Sequence, residues 1–181
     1  NKNSADSSPF WIGNNELGYL RRDGIDAKQN IVIHSLSDEK KQAIYSGIIS
    51  SPNASTDGRY IIFNLISNVT TGASSTDLEV PRMLSVYDRQ NQQLVQPPKM
   101  DLPGFTGTHT LSVDDQYLYF SHYLNDTNGD QRIDGNDNSI LFRLPLQTWL
   151  SSRKALLPEQ LTAVDQNCNF PTLSEKSLYV C

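Results

Sequence analysis

Four stretches of this 181-residue chain repeat one design: an extended segment, a tight turn, then an apolar strand. The fullest copy is Pro52-Asn53-Ala54-Ser55-Thr56-Asp57-Gly58-Arg59-Tyr60-Ile61-Ile62-Phe63. Asp-Gly supplies the positive φ that a tight hairpin needs, and the run after it is rich in β formers. The design recurs over residues 109–120, with Asp114-Asp115 in the turn, and in a shorter form over residues 171–180. A weaker copy covers residues 9–19. Self-similarity of this kind constrains the fold strongly, because each copy is one supersecondary unit that cannot bury its apolar face alone.

Two further strand candidates follow each of the first three copies: 30–36 and 42–46, then 82–88 and 93–96, then 138–146 and 160–164. Long helical periodicity is absent, although residues 148–157 suit a short helical turn. Four short strands per unit, joined by turn chemistry, predict an all-β chain of β-propeller blades. The predicted blades are 8–46, 51–96 and 108–164, followed by a half blade at 169–181. That makes an incomplete ring.

The pattern Pro-x-x-Ser-x-Asp-Gly-x-x-Ile-x-Phe at residues 52–63 closely resembles the repeat of TolB-like (WD40-like, PD40) propellers. Leu161-Thr162, followed by Pro171-Thr172-Leu173-Ser174, is similar to that family's Leu-Thr on the outer strand before the next blade. The resemblance covers nearly the whole chain, but only the copy at 52–63 matches fully. It implies a closed ring, and with it that the chain is a fragment or one piece of a ring completed by other chains. An open array is the alternative. The resemblance also implies a bacterial setting.

Asp126-Thr127-Asn128-Gly129-Asp130-Gln131-Arg132-Ile133-Asp134-Gly135-Asn136-Asp137 is the chain's densest cluster of oxygen side chains. Asp126, Asn128, Asp130, Asp134 and Asp137 stand at positions 1, 3, 5, 9 and 12 of a loop of EF-hand or dockerin type. Arg132 at position 7 would lend its backbone carbonyl. Calcium is hard and takes six to eight oxygens, so this spacing predicts one Ca²⁺. Two positions depart from the pattern: Gln131 replaces the usual Gly, and Asp137 replaces a bidentate Glu. The alternative is a polar turn that binds nothing. Strand-like segments at 116–124 and 138–146 flank the loop, so the ion would pin a hairpin connection rather than carry out catalysis.

A net charge of −5 argues against nucleic acid, which is bound through clustered Lys and Arg. No apolar run approaches the roughly 20 residues that span a bilayer. Cys168 and Cys181 are the only cysteines and flank a predicted hairpin. They read either as a disulfide or as two buried thiols. Calcium and a disulfide would both favour a periplasmic or extracellular location. The chain has no initiator Met and no signal peptide, which suggests a mature or trimmed segment.

In a propeller the loops at 22–29, 68–81 and 125–138 would share one rim, and long loops on a rigid scaffold are where binding concentrates. No Gly-x-Ser-x-Gly, Cys-x-x-Cys or His-Glu-x-x-His motif occurs. His109 and His122 fall on adjacent predicted strands, either lining a channel or satisfied by hydrogen bonds. The resulting expectation is a non-enzymatic, calcium-stabilised module for protein interaction or assembly, its partner a protein or further propeller chains. The alternative is the propeller part of an enzyme, either a peptidase gating domain or a channel-site polysaccharide lyase.

Overall fold

The structure is a computed structural model that describes residues 4–24, 28–66, 82–95, 100–173 and 178–179. The described chain forms three four-stranded antiparallel sheets in series and one hairpin. The first sheet holds β1 (Ser4–Ile12), β2 (Glu16–Asp23), β3 (Gln29–Ser35) and β4 (Lys41–Gly47) in sequence order. The second holds β5 (Ile49–Ala54), β6 (Tyr60–Ile66), β7 (Arg82–Asp88) and β8 (Gln93–Val95). The third holds β9 (Phe105–Leu111), β10 (Tyr117–Tyr123), β11 (Ile140–Pro145) and β12 (Glu159–Gln160). The hairpin pairs β13 (Thr172–Leu173) with β14 (Leu178–Tyr179). These are propeller blades, and their first strands touch in series, β1 with β5, β5 with β9 and β9 with β13. The ring they begin is not closed.

The repeated turn is the same object in the second and third sheets. Ser55 Oγ donates to Asp57 Oδ1 at 2.6 Å and accepts the Tyr60 N–H at 2.9 Å. Ser112 Oγ does the same with Asp114 Oδ1 and the Tyr117 N–H, again at 2.6 and 2.9 Å. Each Asp also accepts the N–H two residues on, from Arg59 or Gln116. The Ser hydroxyls hold both Asp carboxyls below the ordinary carboxylate range. Gly58 takes φ +69°, and Asp115 takes φ +54° at the matching place.

Each first strand carries a bulge that the repeat did not announce. In β1 the extra residues lie between Ser7 and Phe10, in β5 between Ser50 and Asn53, and in β9 between Thr106 and His109. Pro9 and Pro52 cannot donate to the ladder, and the serines before them, Ser8 and Ser51, adopt φ +50° and +52°. In β9 the aligned residue is His109, which pairs with Phe120, so the bulge moves to Gly107–Thr108. Phe170, before Pro171, has φ +57°.

Apolar side chains fill the two seams between sheets. Phe10, Ile12, Leu20 and Ile31 of the first sheet pack against Ile61, Phe63 and Tyr87 of the second. Ile62, Leu84 and Val86 on the other face of the second sheet pack against Leu118, Phe120 and Phe142 of the third. A helix, α1 (Leu146–Ser151), adds Leu146 and Trp149 to this second core. It begins two residues before the expected start at 148 and ends where Ser152 turns extended. The predicted strand at 160–164 reduces to Glu159–Gln160: Leu161 still donates its N–H to Leu141 O of β11, but the Leu141 N–H goes to the Thr162 hydroxyl, and the chain then turns away.

Candidate functional site

The acidic loop joins β10 to β11, at the rim that a meander gives to its second-to-third strand connections and its crossings between sheets. The expected rim loop 68–81 lies outside the described residues. Asp126 anchors the first half of the acidic loop. Its Oδ1 accepts the N–H groups of Gly129 (2.6 Å) and Asp130 (3.2 Å), and its Oδ2 accepts that of Gln131 at 2.7 Å. Asn128 Oδ1 takes the Asp130 N–H, Asp130 Oδ1 takes the Arg132 N–H, and Asp134 Oδ1 takes the Asn136 N–H. Gln131 adopts φ +69°, the left-handed conformation for which the Gly of a calcium loop is usually chosen.

Asp137 closes the loop. Its Oδ1 accepts the Thr127 N–H at 2.6 Å, the Thr127 hydroxyl at 3.1 Å and the Asn128 N–H at 3.3 Å. Its Oδ2 accepts the Asp134 N–H at 2.8 Å. The side chain is buried, with 1% exposure. Burial pushes this carboxyl up, but the donors from Asp134, Thr127 and Asn128 outweigh it and hold it below the ordinary range. The chemistry suits a hard cation: five oxygen-bearing side chains and one carbonyl, all within one turn of chain. A carboxylate oxygen has two lone-pair sites, so one N–H does not exhaust it; Asp130 Oδ2, for example, accepts from Asn128 Nδ2 at 3.3 Å. As they stand, these oxygens serve the loop's own N–H groups. Among the described residues no three His, Cys, Asp or Glu side chains converge as a metal-holding group.

Hydrogen bonds tie the loop's exit to the segment that leads into β13. Ser139 Oγ donates to Asn169 Oδ1 at 2.9 Å, and the Cys168 N–H donates to Ser139 O at 2.9 Å. Tyr123 Oη donates to the same Asn169 Oδ1 at 2.8 Å, and the Phe170 N–H reaches Thr108 Oγ1 at 3.0 Å. Cys168 is wholly buried and disulfide-bonded. Cys181, the other cysteine of the chain, lies outside the described residues.

The two histidines are satisfied rather than gathered. His109 turns into the seam between the second and third sheets, where Nε2–H donates to Ile62 O at 3.2 Å. Burial lowers its pKa to about 4 and keeps it neutral. His122 Nε2–H donates to Pro103 O at 2.7 Å, with Thr106 Oγ1 3.3 Å from Nδ1. Burial lowers this imidazole as well. Sequence reasoning did not find the bonds that cross between blades. Thr56 of the second sheet donates its N–H to Asp115 of the third at 2.7 Å, and Arg89 binds Glu16 at 2.8 Å. Only the aligned position of Asp115 in a Gly slot hinted at the first.

Solved structures place this geometry. TolB from Acinetobacter baumannii is similar over 91% of this chain and 34% of its own, at TM-score 0.58 and 15% identity. The β-propeller domain of the Trilobed protease from Pyrococcus furiosus matches 88% of this chain and 43% of its own, at TM-score 0.58 and 11% identity. Acylaminoacyl peptidase from Pyrococcus horikoshii matches 98% of this chain and 28% of its own, at TM-score 0.64 and 16% identity. The fold is a TolB-like β-propeller. At these identities the likeness shows the fold alone, and the chain spans less than half the length of each of these structures. No protein-family model matches the sequence, and no curated protein does. No helix among the described residues is long and apolar enough to cross a membrane.

Proposed function

We propose that this chain is an exported bacterial β-propeller segment that works as a protein-interaction and assembly module, stabilised by calcium in its third blade. The unclosed series of three blades carries this reading. Each seam between blades is an apolar core, and on the first sheet's opposite face Trp11, in the row that the other sheets bury, is 65% exposed. The oxygen spacing of residues 126–137 and the left-handed Gln131 support calcium, with Asp126, Asn128, Asp130, Asp134 and Asp137 as side-chain ligands and the Arg132 carbonyl between them. The buried, disulfide-bonded Cys168 and the likeness to TolB support a periplasmic or extracellular setting.

A second reading is favoured by the peptidase propellers among the similar structures: the chain is the propeller part of an enzyme whose catalytic residues lie elsewhere. The two readings separate by native mass spectrometry of the protein as isolated, before and after calcium chelation, beside peptidase and polysaccharide-lyase assays. The module reading expects a mass above 20.3 kDa, loss of calcium on chelation and no turnover. A lone, metal-free chain, or turnover in either assay, would overturn it.

A further inference from the structure

Asn128-Gly129 is the chain's only Asn-Gly step. The Asn128 carboxamide carbon is an electrophile, and the Gly129 peptide nitrogen is a latent nucleophile that closes a succinimide ring with it when the side chain folds back. Folding supplies that geometry. Asn128 Oδ1 accepts the N–H of Asp130, two residues on, at 2.9 Å. This bond turns the side chain back along its own main chain and carries Cγ toward the Gly129 nitrogen between the bonded groups. Asp126 Oδ1 accepts the Gly129 N–H at 2.6 Å, and a charged acceptor this close draws the proton and enriches the nitrogen. Gly129 takes φ +80°, and a Cβ built on it would have nothing within 4 Å, so no side chain obstructs the approach. Asn128 is exposed, with Nδ2 3.3 Å from Asp130 Oδ2, where water meets the leaving group.

Other asparagines are held differently. Asn64 is wholly buried and donates Nδ2 to Gly107 O at 2.6 Å. Asn91 Nδ2 donates to Asp88 Oδ2 at 2.8 Å, and Asn169 Oδ1 is taken by the Tyr123 and Ser139 hydroxyls. Leu65, Gln92 and Phe170 follow these three, and each puts a side chain beside the nitrogen that would have to attack.

We propose that Asn128 is a self-modification site, at which the folded loop promotes its own deamidation. The Gly129 nitrogen attacks Asn128 Cγ; the N–Cγ bond forms and the Cγ–Nδ2 bond breaks. Nδ2 leaves as ammonia, taking up through solvent the proton that Gly129 gives up. Water then opens the succinimide. Attack at Cγ restores the main chain with Asp at 128, and attack at the main-chain carbonyl carbon leaves an isoaspartyl link that runs through Cγ. Water is the only co-reactant. The aspartyl product adds a carboxylate beside Asp126, Asp130, Asp134 and Asp137. The isoaspartyl product inserts a methylene into the backbone within the segment that Asp126 ties through Gly129, Asp130 and Gln131. Neither calcium nor a partner chain is needed, so the inference stands apart from the module reading.

The test is peptide mapping by mass spectrometry of the full chain, incubated in chelator at neutral pH, both folded and unfolded in urea. The mass gain of an amide exchanged for a hydroxyl is expected at residue 128 ahead of every other asparagine. The folded chain should react about threefold or more faster than the unfolded one, because the loop holds the two groups together. Asn128→Gln, whose longer side chain must close a larger ring, should slow the gain at this position by about tenfold or more. Asp126→Ala should bring the folded rate down to the unfolded one and leave the rate in urea unchanged. A folded chain that stays intact at 128 while the unfolded one reacts would show that the loop protects the step, and would overturn the inference. So would modification spread evenly over the asparagines, or a folded rate indifferent to Asp126→Ala.

Discussion

Asp115 accepts the Thr56 N–H at 2.7 Å, 59 residues back in the sequence, and Thr56 Oγ1 lies 3.3 Å from its other oxygen. The contact locks the turn of one blade to the turn of the next. It also accounts for a non-Gly residue at φ +54°, a conformation that costs an L-residue roughly 1–2 kcal/mol. Gly at this place, as at Gly58, would relieve the strain and lose the bond. Asp115→Ala should therefore lower stability by about 1–3 kcal/mol, and Asp115→Gly by less, measured by urea denaturation. Equal losses for the two would show that the left-handed backbone carries no strain.

His109 sets a pH response. Folding drops its pKa from 6.5 to about 4, so the folded state refuses a proton that the unfolded state accepts. Its contribution is complete above 6.5 and is lost as pH falls from there toward 4, on the order of 3 kcal/mol in total. His109→Gln should flatten melting temperature against pH in that window. An unchanged slope would mean that other groups carry it.

Below 3.8 a second loss begins. Asp57 and Asp88, the latter held down by the Arg59 guanidinium 3.0 Å away, have lowered pKa values. Their stabilisation is present above the unfolded value of 3.8 and is lost as pH falls through the folded one. Replacing Arg59 by Met should move the acid midpoint of unfolding upward. A midpoint that stays in place would show that the Asn91 and Gln90 donors suffice.

Calcium and loop closure can be separated by choice of residue. Asp130 is exposed and Asp137 is buried under four hydrogen bonds. Calcium at about 100-fold its Kd should raise the melting temperature by about 5 °C or more. Asp130→Ala should abolish that rise and leave the calcium-free value unchanged. Asp137→Ala should lower the melting temperature with and without the ion. Scanning calorimetry in calcium and in chelator decides, and no rise in the wild type would make residues 126–137 a turn alone.

Cys168 sits wholly buried beside Ser139 and Asn167, where the loop and the hairpin segment meet. Reduction, or Cys168→Ser, should cost about 2–4 kcal/mol. A reductant-insensitive melting curve would show that burial alone secures the segment.

The blade series was legible because its signal is local. Ser-x-Asp turns fix hairpins within a dozen residues, and alternating apolar positions fix the two seams. What escaped sequence reading depends on distance or on backbone. Thr56 and Asp115 meet only after two blades have formed, and which acceptor satisfies His109, Ile62 O, is set only by the neighbouring blade. The edge strand β12 stops at Gln160 because the Thr162 hydroxyl, not a backbone carbonyl, takes the Leu141 N–H of β11. Residue types give the oxygen order of the acidic loop, but not how far its own N–H groups engage those oxygens.

Similar repeats side by side are prone to exchange strands out of phase while a chain folds, and a slip of one residue would turn each apolar row outward. The bulges at Ser8–Pro9 and Ser51–Pro52 act against this as phase marks. A proline that cannot donate and a left-handed residue before it fit only one alignment with the neighbouring strand. The first two blades thus each carry their own starting point, and an error made in the first cannot be inherited by the second.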